Sequence, residues 1–248
     1  MFSTSNPSVL QAEQAISEAG RCRLDFFLVH ATIRLNLIFF RSERKVKTME
    51  EHVPTRSEAF ELLKEHNANP SLIRHGLAVE SVMVHFAGLT GETDMEKWAV
   101  IGLVHDVDYE KYPESHCKKA REILSERGWP EEYIHAVESH GWGRCTDVEP
   151  REKMEKVLYT VDELTGLIAA TALLRPSRSV LDLTAQSVRK KWKQKGFAAG
   201  VDREIIEKGA ESLGMELDTV IEETIKGMQK VAEVIGLKGQ IGADPASP

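Results

Sequence analysis

Cysteine is scarce: Cys22, Cys117 and Cys145 are the only three in 248 residues. So few, so widely spaced, cannot staple a small secreted scaffold, and without a CxxC pair no cysteine-based zinc site is expected. Long apolar runs are lacking too. The strongest early stretch, 24–40, is broken by Asp25, His30 and Arg34, whereas a membrane-spanning helix needs about 20 mostly apolar residues. Nor is there an excess of positive charge. Thirty-two Lys and Arg face 39 Asp and Glu, a net −7, which excludes a surface that clings to bulk nucleic acid or anionic membrane. Glu13 and Glu18 precede the apolar stretch where a secretory leader would be basic, so the expected compartment is the cytoplasm. Hydrophobic residues at 42% and charged ones at 29% are ordinary for a globular chain long enough to bury a real core.

Charge is unevenly spread. Residues 1–48 hold seven Lys and Arg against four Asp and Glu, leaving the remainder at −10. From Met49 a new module opens, with Thr55 and Glu58 at capping-box spacing ahead of an apolar run. Three parts are expected: an N-terminal extension, 1–48, either dispensable or packed on the core; a helical module, 49–237; and a Gly- and Pro-containing flexible tail, 238–248.

Within the module, helix follows helix. Leu72, Val79, Val82, Met83 and Phe86 recur at three-and-four spacing over 71–87, until GLTGET interrupts them. Asp94 or Thr93 caps a short apolar helix through Trp98, Ile101 and Val104. Further helices are expected over 115–127 from Ser115, over 130–140 after Pro130, from Pro150 to Leu174, within 181–196, and over 202–213 and 216–235. No alternating strand pattern interrupts them, so the fold class is all-α.

What is abundant is histidine. There are nine, eight of them between His52 and His140. A single histidine on an apolar helix face is most often a satisfied core residue. The ordered set carries more weight: His75 on the stripe of Leu72, Val79 and Phe86, then His105-Asp106 closing the next helix, then Asp162 on a long apolar helix. A buried carboxylate needs a positive partner, and helical bundles build metal sites from ligands projecting inward on facing helices.

The segments LIRHGLAVE, IGLVHDVDYEKY and LYTVDELTGLIAA, in the order His…His-Asp…Asp, resemble the HD-domain superfamily of metal-dependent phosphohydrolases over about 49–170, in particular a branch described only as predicted hydrolases. The resemblance implies an HD-like helical bundle with a metal site between helices. It also implies that His75, His105, Asp106 and Asp162 bind one divalent ion. His116 and His140 resemble the additional histidines of the two-metal branches, where Asp106 would bridge, so one or two ions are expected. The ligand set accepts Mn, Fe, Co, Ni or Zn, with Mg also admitted. One departure is visible: where the family commonly has Ile-Gly-Lys after the pair, this chain has Val107-Asp108-Tyr109.

The function expected from this resemblance is hydrolysis of a phosphomonoester or phosphodiester, a nucleotide among the candidates, with Asp106 as the catalytic residue beside the metal. Lys111, Arg144 and the cationic run of Arg189, Lys190, Lys191, Lys193 and Lys195, with Lys190 and Lys191 foremost, are the candidate anion contacts. The partner is then a small phosphorylated substrate, with no bulk nucleic acid and no membrane, and the oligomeric state is open. Two other readings share the scaffold: a di-iron oxygenase, and a non-catalytic nucleotide-sensing module. Gly166 is expected to permit close helix approach, and Trp192 to pack inward.

Overall fold

The computed structural model describes residues 51–194 and 196–240; the expectations for 1–48 and for most of the tail fall outside them. Among the described residues there are nine α-helices and no strand. They are α1 Arg56–His66, α2 Pro70–Thr90, α3 Met95–Val104, α4 Lys118–Glu126, α5 Glu131–Ser139, α6 Lys153–Leu173, α7 Ala185–Trp192, α8 Arg203–Ser212 and α9 Leu217–Gln229. None is long and apolar enough to cross a membrane.

Local chemistry sets most of the boundaries. Thr55 and Glu58 form the expected capping box at the start of α1. Asn69 caps α2, Pro70 occupies its first turn, and Gly91, at φ +74°, ends it. Asp94 accepts a hydrogen bond from the Lys97 amide and starts α3. The long helix α6 begins at Lys153, later than Pro150, because Glu152 and Glu155 make a reciprocal cap there. At the other end of the chain α9 stops at Gln229 and turns follow.

The largest departure from expectation lies at 115–127. Pro113–Ser115 form a short 3-10 turn, the chain breaks at His116 and Cys117, and α4 begins only at Lys118. His116 is drawn out of the helical path by Asp108, whose carboxylate accepts from both its Nδ1 and the Ala120 amide, each at 2.8 Å.

The core is built around α2 and α6. α2 packs on α3, α6 and α9, while α6 also packs on α8 and α5. Leu158, Val161, Leu164, Leu167 and Ile168 of α6 are fully buried, each worth about 1.5–3 kcal/mol relative to exposure for side chains of this size. Two glycines set the separation of α2 and α3. A Cβ on Gly76 would lie 2.8 Å from the Leu103 carbonyl oxygen, and one on Gly102 would lie 2.8 Å from Met83 Cγ. With no side chain at either position the two helices close up, and this brings His75 on one beside His105 at the end of the other. Gly166 has no such role: a Cβ there would meet only Val201, at 3.7 Å.

Candidate metal centre

His75 projects from the second turn of α2, His105 and Asp106 from just past the C-terminal end of α3, and Asp162 from the middle of α6. Their ligand atoms converge. His75 Nε2 is 2.9 Å from Asp162 Oδ1 and 3.2 Å from His105 Nε2. His105 Nε2 stands 3.2 Å from Asp162 Oδ1, and Asp106 Oδ2 lies 3.5 Å from His105 and 3.7 Å from His75. All four donor atoms fall within 4.8 Å of one another.

The other oxygen of Asp106 faces a second group. Oδ1 is 3.4 Å from His116 Nε2 and 3.5 Å from His140 Nε2, and those two nitrogens are 3.2 Å apart. One carboxylate thus stands between two clusters, each rich in imidazole.

The outer nitrogens of three imidazoles are already committed. His105 Nδ1 donates to the Gly102 carbonyl at 2.8 Å, His140 Nδ1 donates to the Val137 carbonyl at 2.5 Å, and His116 Nδ1 faces the Asp108 carboxylate. A carbonyl can only accept, so in the neutral ring the inward Nε2 carries a lone pair. Such outer hydrogen bonds fix the tautomer and orientation of metal-binding histidines.

Electrostatics point the same way. Burial works against charge on His105, but Asp106 and Asp162 more than offset it and hold its pKa well above the ordinary histidine value. Burial also opposes charge on Asp106 and Asp162, yet the facing His105, with hydrogen bonds from its neighbours, holds both carboxyls well below the usual range. His116 is raised as well: burial opposes its cation, while the bond to Asp108 and the charge of Asp106 favour it. The centre is a convergence of lone pairs and carboxylate oxygens that calls for positive charge. Nitrogen and oxygen donors at this density could hold a divalent cation.

Beside the centre opens a cavity of about 440 Å³, walled by His75, Asp106, His116, His140 and Asp162 together with Tyr109, Arg144, Cys145, Glu163, Gly166, Val201 and Ile205. Arg144 is its lining cation, half exposed and paired with Glu163. The Tyr109 ring stands edge-on to His116, with centroids 5.1 Å apart.

Three expected substrate contacts lie elsewhere. Lys111 donates to the Glu65 carbonyl at 2.7 Å, away from the cavity. α7 buries Ala185 and Val188, which leaves Lys190 exposed and sets the Lys191 ammonium 5.3 Å from the Phe197 ring. Lys111, Lys190 and Lys191, expected at the substrate, thus do not line this cavity; Lys195 lies outside the described residues. Trp192 does pack on the core, its indole N–H reaching Glu207 at 3.2 Å. His52, His85 and His135 pair with Glu58, Glu223 and Glu155, all apart from the cluster.

Asp108 went unrecognised in the sequence as a positioning residue. It is fully buried and orients His116, and it sits in the very triplet that departs from the family's usual form. Cys117 and Cys145, with no spacing signal between them, are brought together as a pair.

The HD domain model matches residues 72–167, a stretch that contains all six clustered side chains. That match is consistent with the HD-domain superfamily, whose members are generally metal-dependent phosphohydrolases. No curated protein and no solved structure matches the chain.

Proposed function

We propose that this chain is a two-metal phosphohydrolase that cleaves a small phosphate ester, a nucleotide among the candidates. The observation that carries the reading is Asp106, with one oxygen toward His75, His105 and Asp162 and the other toward His116 and His140. A carboxylate between two lone-pair clusters is the arrangement that holds two divalent ions side by side. In this reading His75, His105 and Asp162 would hold one ion and His116 and His140 a second, with Asp106 offering one carboxylate oxygen toward each group.

Bound there, divalent ions supply Lewis acidity toward phosphoryl oxygens and make water acidic enough to attack near neutral pH. The chain's own residues do the rest. Asp106 fixes the spacing of the two clusters and accepts hydrogen bonds at the point where the attacking water would stand. Arg144 at the cavity wall offers a guanidinium fork to the substrate's anion, exchanging Glu163 for phosphate oxygens. Tyr109, Val201 and Ile205 give the remainder of the ester an apolar and aromatic wall.

The test is a screen of phosphomonoesters, cyclic and linear phosphodiesters and nucleotides against metal-reconstituted protein, with Asp106→Ala as control. Metal-dependent phosphate release lost in the variant supports the reading. Oxygen consumption by iron-loaded protein without phosphate release would replace it with an oxygenase.

A further inference from the structure

We propose that the Cys117 thiolate is a protein ligand of the ion at the His116/His140 half of the centre, and that pairing with Cys145 is the state in which this ligand is withdrawn. The inference rests on the two-ion reading above and goes beyond it by naming the ligand that distinguishes the two halves.

Three features place sulfur there. First, Cys117 offers its Sγ within 4.8 Å of ligand nitrogens of both His116 and His140. With the Asp106 oxygen that faces both rings, the group becomes two nitrogens, one oxygen and one sulfur, the count of a tetrahedral site. Second, Cys117 is fully buried and has φ +66°, a left-handed conformation that side chains with a Cβ resist. That turn, between the bend at His116 and the first residue of α4, holds the Cys117 sulfur beside the two rings even in the Cys145-paired form that the structure records. Third, Gly141 directly follows His140, and a Cβ at that position would overlap both the Cys117 and Cys145 sulfurs. The backbone at the second histidine is thus shaped around sulfur.

The two halves then differ in softness. Carboxylates and imidazoles surround the His75 side, whereas a thiolate on the His116 side selects Zn²⁺, Fe²⁺ or Co²⁺ over Mg²⁺. Ligation also competes with disulfide formation. Cys145 is half-buried and lines the cavity, while Cys117 is sealed, so a small disulfide meets Cys145 first. The Cys145 sulfur attacks that disulfide and releases one thiol. The Cys117 sulfur then attacks the mixed disulfide at Cys145, releases the second thiol and leaves its ion. Two electrons pass from the protein pair to the small disulfide. The two protons that complete the released thiols come from the Cys145 thiol and from water.

The experiment uses the full chain, kept under thiol reductant and saturated with Co²⁺, reading bound equivalents by elemental analysis and thiolate-to-cobalt charge transfer by near-ultraviolet absorption. Two equivalents with the band are expected. Cys117→Ser should lose the band and bind the second equivalent about tenfold or more weakly, as loss of a supporting ligand shell does, whereas Cys145→Ser should keep it. Glutathione disulfide should erase the band in the wild type and leave it in Cys145→Ser, whose fold is then vouched for by the band itself. Two bound equivalents without a band, or a band that survives Cys117→Ser, overturns thiolate ligation and leaves the two-ion reading standing. Fewer than two equivalents in every form overturns both.

Discussion

Gly76→Ala perturbs the spacing on which the centre depends without touching a proposed ligand. In a helix interior, alanine is favoured over glycine by about 1 kcal/mol when its methyl has room. Here the added Cβ would stand 2.8 Å from the Leu103 carbonyl oxygen and 3.1 Å from Leu63 Cδ2. Leu63 can turn aside, but a backbone carbonyl cannot. Relief requires α2 and α3 to part by roughly half an ångström, and overpacking of this kind costs about 1–3 kcal/mol. The net expectation is a loss of about 1–2 kcal/mol in urea unfolding. The same displacement separates His75, the preceding residue, from His105, whose Nε2 atoms are 3.2 Å apart. Since such sites tolerate only about 0.5 Å of misplacement, metal affinity should fall about tenfold. Gly166→Ala is the matched control, because its Cβ would meet only Val201 at 3.7 Å, and it should gain up to about 1 kcal/mol. Equal or greater stability of Gly76→Ala with unchanged metal affinity would refute the close-approach argument.

Other outcomes follow from the same geometry. His140→Ala should reduce bound metal from two equivalents to one while preserving the fold, as elemental analysis and circular dichroism would show; retention of two equivalents contradicts its assignment. Arg144→Ala should lower kcat/KM for a phosphate ester about 10–100-fold through loss of a charge-assisted contact, with Arg144→Lys recovering part of it; unchanged kinetics would remove Arg144 from the site. Asp108→Asn should weaken binding at the His116 side about 10–100-fold by loosening that ring, read by metal titration. Metal affinity should fall with acidification, because ions must displace protons from imidazole. The carboxylates that raise the pKa of His105 and His116 in the metal-free chain carry that competition to higher pH than for free histidine. Calorimetric titration across pH that showed affinity rising in acid would contradict the sign.

Much of this architecture was written in local pattern. The capping box at Thr55, the cap at Asp94 and the apolar stripe of α2 each act within one or two turns, so sequence spacing is enough to read them. His75, His105, Asp106 and Asp162 were legible because burying His75 or Asp162 on an apolar face makes sense only if something distant answers it, whereas His116 and His140 were picked out only by the resemblance to the two-metal HD branches. What was not legible depends on contacts far apart in the chain. The bend at His116 follows from Asp108, which looks from sequence like an ordinary polar residue in a turn. Cys117 and Cys145 are 28 residues apart, and they meet through the bend at Cys117 and the side-chain-free turn at Gly141. Lys190 and Lys191 looked like an anion rim by charge, but α7 turns its apolar side to the core and leaves those cations outside the cavity.

The central claim is that Asp106 joins two adjacent ion sites. Its most direct test is metal stoichiometry by elemental analysis of the reconstituted full chain, wild type against Asp106→Ala. The account predicts two equivalents in the wild type and one or none in the variant. A wild-type protein that binds no divalent metal, or a variant that still holds two equivalents, would contradict it.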